Sequence, residues 1–202
     1  MPLFDRAKNI RTLARPITFD KTKVIHQIKD AFWKKGFAYT SIEDLEKATG
    51  LKRTSLYAAY GDKMKMYLSA LATYKEESNA QAERMFNASN NPIDRIEKLL
   101  KTSVINGTSK GCFIVNAGTE RYQQCPSTTQ FIDDNTQAAL ENFKQQLKEA
   151  QQQNLLSANA NIEVLAHQIF VLNLGIMAGL KNGLSKDELF ETIDATLAAM
   201  FA

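Results

Sequence analysis

The stretch from Thr40 to Lys63, TSIEDLEKATGLKRTSLYAAYGDK, constrains this chain more than any other. It reads as two short helices joined by a tight turn. Thr40 or Ser41 can cap the first helix, Glu43 or Asp44 suits the positive end of its dipole, and Ile42, Leu45 and Ala48 form an apolar stripe at helical spacing. Gly50 ends it. Leu51 and Leu56 turn the second helix back onto that stripe, leaving Lys52, Arg53, Thr54, Ser55, Tyr57 and Ala58 looking largely outward. A polar, basic outward face on the second of two helices joined through a glycine turn is what a reader of the DNA major groove requires. An ordinary helical hairpin with solvated charges would share the pattern.

The distribution of charge favours the reader. The whole chain carries only +3, but residues 1–65 hold 14 Lys/Arg against 7 Asp/Glu, and residues 66–202 hold 11 against 15. A front end at +7 beside a remainder at −4 is expected when one end meets phosphate and the other does not.

A chain of 202 residues with 44% hydrophobic content can build a real core as one domain or two small ones. The N-terminus carries Asp5, Arg6 and Lys8 with no apolar segment behind them, and the longest apolar run, near 169–180, is broken by Asn173 and glycines. Neither a signal peptide nor a membrane span is expected, and cysteines only at 112 and 125 suit a reducing cytoplasm.

Apolar spacing and breakers predict helices at about 19–35, 41–49, 52–60, 63–88, 92–107, 112–122, 127–153, 161–182 and 185–201, with no convincing strand. The fold class is therefore all-α. Residues 1–17, with Arg6, Lys8, Arg11 and Arg15 ahead of Pro16, read as a flexible basic arm whose arginines suit a minor groove or a plain disordered tail equally well. The Gln/Lys-rich stretch 144–153 reads as one solvated helix face.

FDKTKVIHQIKDAFWKKGFAYTSIEDLEKATGLKRTSLYAAYGDKMKMYLSAL resembles the N-terminal domain of the TetR family of bacterial one-component regulators. The resemblance rests on Lys35-Gly36-Phe37 closing the first helix, the Thr40-Ser41 pair, Gly50-Leu51 at the turn, Ser55-Leu56-Tyr57, and Gly61-Asp62-Lys63 opening the fourth helix. A further segment, Gly111-Cys112-Phe113-Ile114-Val115-Asn116, resembles one found in a subset of these regulators at the start of the sixth helix. The resemblance implies a three-helix helix-turn-helix domain at 18–65 and a helical effector-binding and dimerisation domain at 66–202. It implies a cytoplasmic homodimer that binds a double-stranded operator, acts as a repressor, and is released by a small-molecule effector.

Position within the motif divides the roles. Lys52, Arg53 and Thr54 are the candidates for base contact, since Arg and Lys donate to guanine and Thr reaches a base edge or thymine methyl. Ser55, Tyr57, Lys63 and Thr40 fall at positions that hold phosphates in the family, whereas Tyr60, Trp33 and Phe32 read as core. A two-fold symmetric dimer implies an inverted-repeat operator.

The last two predicted helices are apolar on more than one face, and Gly175 and Gly179 would permit close backbone approach. By resemblance they build a four-helix dimer interface, while packing within one chain would also account for them. The middle helices should surround the effector pocket, with Met85, Phe86, Cys112, Phe113, Asn116, Tyr122, Phe131, Phe143, Asn173 and Met177 as candidate walls. Cys112 is also a candidate redox or electrophile sensor, being next to Lys110 at a helix start, and Cys125 would resolve it only if the fold brings the sulfurs together. No cofactor is expected, and neither His26 nor His167 has a metal-binding neighbour at ligand spacing. Cys112 with His167 is the only pair for a thiol enzyme, and it lacks an identifiable orienting carboxylate.

Overall fold

A computed structural model describes residues 19–86, 89–121 and 125–201. The basic arm at 1–17, Tyr122 and the side chain of Phe86 lie outside the described residues. Among the described residues the chain forms α1 (Lys21–Tyr39), α2 (Ile42–Thr49), α3 (Arg53–Tyr60), α4 (Lys63–Phe86), α5 (Pro92–Asn106), α6 (Phe113–Arg121), α7 (Pro126–Gln152), α8 (Ile162–Lys181) and α9 (Lys186–Met200), with no strand.

Local signals fix most of the helix starts. Asp20 accepts the Lys23 amide ahead of α1, Asn91 and Pro92 open α5, and Asn161 caps α8. Ser41 with Asp44 and Ser185 with Glu188 form reciprocal capping boxes on α2 and α9. The first helix runs beyond its expected end because Gly36, at φ 77° and ψ 170°, bends it without stopping it. The Phe37 amide freed at that bend donates to the Glu120 carboxylate of α6 at 3.0 Å.

Two apolar cores result. The head core joins Val24, Ile28 and Phe32 of α1, Leu45 of α2 and Leu56 of α3 to Met66, Tyr67 and Leu71 of α4. Phe113, Ile114 and Ala117 of α6 complete it, so the head's packing continues past residue 65 into two helices of the body. The body core joins Ile96, Leu100 and Val104 of α5, Phe143 and Leu147 of α7, Ile169, Ile176 and Leu180 of α8, and Leu189, Ile193 and Leu197 of α9. Each such side chain contributes about 1.5–3 kcal/mol when fully buried, so both cores are substantial. Cys112 packs against both.

The junction between the cores is closely fitted. The Trp33 indole donates to the Gly111 carbonyl at 3.1 Å, and the Lys110 ammonium sits 4.5 Å from the centre of the Trp33 ring. Gly107 lets α5 close on α8, because a β-carbon there would meet Leu180 and come within 2.6 Å of the Ser103 carbonyl. Among the described residues α8 is long and apolar enough to cross a membrane, with mean hydropathy 1.5, although no span was expected. It packs against α5, α7 and α9, and only 22% of its apolar window is buried, so much of its hydrophobicity lies on an outer face.

Candidate nucleic-acid interface and effector region

The turn between α2 and α3 is held by both side chains and backbone. Gly50 adopts the left-handed conformation at φ 71°, and its amide donates to the Glu46 carbonyl at 2.8 Å. Thr49 donates to the Leu45 carbonyl at 2.7 Å and accepts the Leu51 amide at 3.2 Å. Buried Leu45 and Leu56 then pin the two helices together, as the apolar stripe requires.

This arrangement leaves Lys52, Arg53 and Thr54 exposed together at the start of α3. The Arg53 guanidinium lies 5.3 Å from the centre of the Tyr57 ring one turn on, with a hydrogen bond to the Tyr57 hydroxyl at 3.4 Å. Ser55 and Tyr57 are half-buried. Lys63, at the start of α4, places its ammonium 4.5 Å from the Phe37 ring centre. Tyr60 donates to the Lys21 carbonyl at 2.9 Å and is partly buried, consistent with a packing role.

Thr40 requires a correction. It is fully buried, and its hydroxyl donates to the Gly36 carbonyl at 2.7 Å. With its only donor used internally to tie down the end of α1, it cannot reach a phosphate from this position. The α2 cap falls instead to exposed Ser41.

The candidate effector residues fall into three groups. Phe113, 1% exposed, belongs to the head core, edge-on to Tyr67 and Tyr74, and Phe131 packs at the margin of that core. Phe143 and Met177 belong to the body core. Asn116 is a clamp, donating to the Lys110 carbonyl at 2.7 Å and accepting from Lys181 at 3.0 Å. Met85 accepts from the Thr102 hydroxyl at 3.4 Å. Asn173 differs from all of these: its Oδ1 is buried and has no hydrogen-bond partner. It shares a helical face with Ile169, Ile176, Met177 and Leu180, which points into the body core.

Cys112 lies where α6 begins, its carbonyl accepting the Asn116 amide at 2.9 Å. Burial, and then the neighbouring and hydrogen-bonded Cys112, push the Tyr74 phenol far above its ordinary range. Cys125 lies against Met64, its thiol 3.7 Å from that sulfur. Tyr74 and Met64 are ten residues apart on α4, a rise of about 15 Å, so the two cysteines are too far apart to pair. Gly111 packs against Met177, ten residues along α8 from His167. The exposed His167 ring bonds its own helix through the Glu163 carbonyl, so it does not meet Cys112. His26 instead pairs with Glu77, which also binds the buried ammonium of Lys29.

The outer face of α8 and α9 carries an open apolar groove of about 670 Å³, lined by Val164, His167, Val171, Leu172, Thr196 and Met200. Val171 is 63% exposed there. The two helical glycines of α8 separate: Gly175 has open space around it, whereas a β-carbon on Gly179 would lie 2.9 Å from Leu184 and 3.3 Å from Leu189 of the same chain. Only Gly175 faces outward.

Residues 92–199, more than half of the chain, match the family described as "Tetracyclin repressor-like, C-terminal domain". The HTH-type transcriptional regulator YezE of Bacillus subtilis (strain 168) is 26% identical over 93% of this chain and all of its own length. The HTH-type transcriptional repressor ComR of Escherichia coli (strain K12) is 21% identical over 93% of this chain and 91% of its own. A cysteine-substituted form of the TetR-family regulator CifR, solved with a 26-base-pair operator duplex, superposes with a TM-score of 0.84 at 22% identity, covering 92% of this chain and 99% of that one. The chain is thus a transcriptional regulator rather than an enzyme, and it belongs to the TetR family.

Proposed function

We propose that this protein is a cytoplasmic repressor that binds an inverted-repeat operator as a homodimer and lets go when a small molecule enters the body. The observation that carries the DNA reading is the cluster of exposed Lys52, Arg53 and Thr54 at the start of α3, on a turn whose geometry is fixed by Gly50, Thr49 and Glu46. Arg53 and Lys52 read base edges while Ser55, Tyr57 and Lys63 hold the backbone. Operator binding by the CifR relative and the repressor name of ComR support this assignment.

A second copy of the chain covers the apolar groove on α8 and α9, as two such helices from each protomer would form a four-helix interface. The unpaired Asn173 oxygen supports an effector site between α8 and the helices it packs on, since a buried acceptor without a donor invites one from a ligand. Ligand binding there would favour a dimer geometry whose recognition helices no longer match the half-sites. Selection of duplexes from a randomised pool should enrich an inverted repeat, bound more weakly as salt rises. Failure to enrich any sequence would end this reading.

A second reading has one observation behind it. Cys112 sits at the start of α6, hydrogen-bonded to Tyr74 and packed on both cores, so a covalent adduct there would wedge head from body. An alkylating quinone should then release wild type from DNA and leave Cys112→Ser bound; equal behaviour of the two rejects the thiol switch.

A further inference from the structure

The recognition helix begins without a cap of its own. Lys52 occupies the N-cap position of α3 and makes no side-chain bond to the helix, as a lysine has donors only. The Lys52 carbonyl takes the Ser55 and Leu56 amides at 2.8 and 3.1 Å. The Arg53 amide is taken across the turn, by Glu46 of α2, whose Oε1 lies 2.8 Å away. Glu46 therefore holds both ends of the turn: its carbonyl receives the Gly50 amide that closes α2, and its carboxylate receives the first amide of α3.

From this geometry we infer that Glu46 is a positioning residue that sets the sequence discrimination of the head, an inference resting on the proposed DNA reading by α3. Two physical effects act together. The hydrogen bond fixes the axis of α3 relative to α2, and with it the reach of Arg53 and Thr54. The negative charge also fills the anion-attracting end of α3, where amide groups and the helix dipole would otherwise bind a DNA phosphate. A phosphate seated there would hold any sequence alike. Glu46 thus trades affinity for non-specific DNA against base reading by Lys52, Arg53 and Thr54.

The test compares wild type, Glu46→Gln and Glu46→Ala on a duplex enriched by wild type from a randomised pool and on a scrambled duplex of the same composition. Each is titrated at several salt concentrations, with thermal melts to verify folding. Gln keeps an oxygen for the Arg53 amide and loses the charge. Glu46→Gln should bind both duplexes more tightly and keep a discrimination ratio close to wild type. Glu46→Ala should bind the scrambled duplex more tightly and lose discrimination by roughly tenfold or more, the worth of one misplaced base contact. Parallel weakening on both duplexes would mean a merely structural role and overturn the inference, as would a Glu46→Ala ratio equal to wild type. If Glu46→Ala does not fold, Glu46→Gln decides: a ratio that collapses, or scrambled binding that does not rise, overturns it. No enrichment by wild type would overturn the DNA reading itself, and Glu46's role with it.

Discussion

Arg53 and Lys63 are both cations of the head, but their surroundings prepare them for different work. The Arg53 guanidinium is laid along α3 against Tyr57, with its planar donor fork exposed at the base-reading end of the helix. The half-buried Lys63 ammonium rests over Phe37 at the start of α4, a point charge suited to the DNA backbone. Arg53→Ala should therefore cost about 1–3 kcal/mol at one operator position and relax preference there. Lys63→Ala should weaken every sequence alike and reduce the salt slope by about 1. Binding to operator and scrambled duplexes across a salt series separates the two, and identical behaviour of both variants would reject the assignment. At this scale, residues were legible from sequence when their role followed from helix position, as for Arg53 and Leu56. Those whose role depends on a partner far along the chain were not: Thr40 is consumed by Gly36 at the α1 bend, and Phe113 faces the head because α6 is wedged between the cores.

α2 illustrates how an element's boundary chemistry becomes a pH dependence. Lys35 first, then the Ser41 amide and hydroxyl, hold the Asp44 carboxyl well below its ordinary range, and its closest contact is the Lys35 ammonium at 2.6 Å. A carboxyl whose value is lowered by folding stabilises the native state at pH above its unfolded value of about 4, and that contribution is lost as pH falls through the depressed folded value. Asp44→Asn should melt below wild type near neutrality, and the gap should close as pH is lowered from about 4 toward the acid limit. Thermal melts across that range provide the check, and a constant gap would show that Asp44 acts through something other than its charge. The capping box that produces this effect was readable as Thr40-Ser41 followed by Glu43-Asp44, and Gly50 as the stop was equally plain. The cap of α3 was not readable, because Glu46 reaches it from another helix where sequence offers only Lys52. Gly36 misled in the opposite sense, since the turn it makes is supported by Glu120, more than eighty residues later.

For the whole molecule, the exposed strip of α8 and α9 is the largest unexplained cost in an isolated protomer. Val164 and Val171 are at least half exposed beside a groove of about 670 Å³, and large exposed apolar patches mark association surfaces. The two α8 glycines separate the contribution of that strip to assembly from its contribution to folding. Gly179 is closed off by Leu184 and Leu189 of its own chain, so Gly179→Leu should overpack the protomer and lower its melting temperature, at a cost of about 1–3 kcal/mol. Gly175 has nothing within 4 Å, so Gly175→Leu leaves the protomer's own packing unstrained and acts only where a second copy approaches. Val171→Glu places a charge in the same strip, which a closed apolar interface would have to bury unpaired. Light scattering should give a dimeric mass for wild type and a monomeric one for Val171→Glu, with the circular dichroism of a folded helical chain retained. Because a two-fold operator needs both heads at once, Val171→Glu should also lose the steep preference for an inverted repeat over a single half-site. A monomeric wild type, or a Val171→Glu protein that remains dimeric, would move the interface off these helices and leave the groove to another occupant.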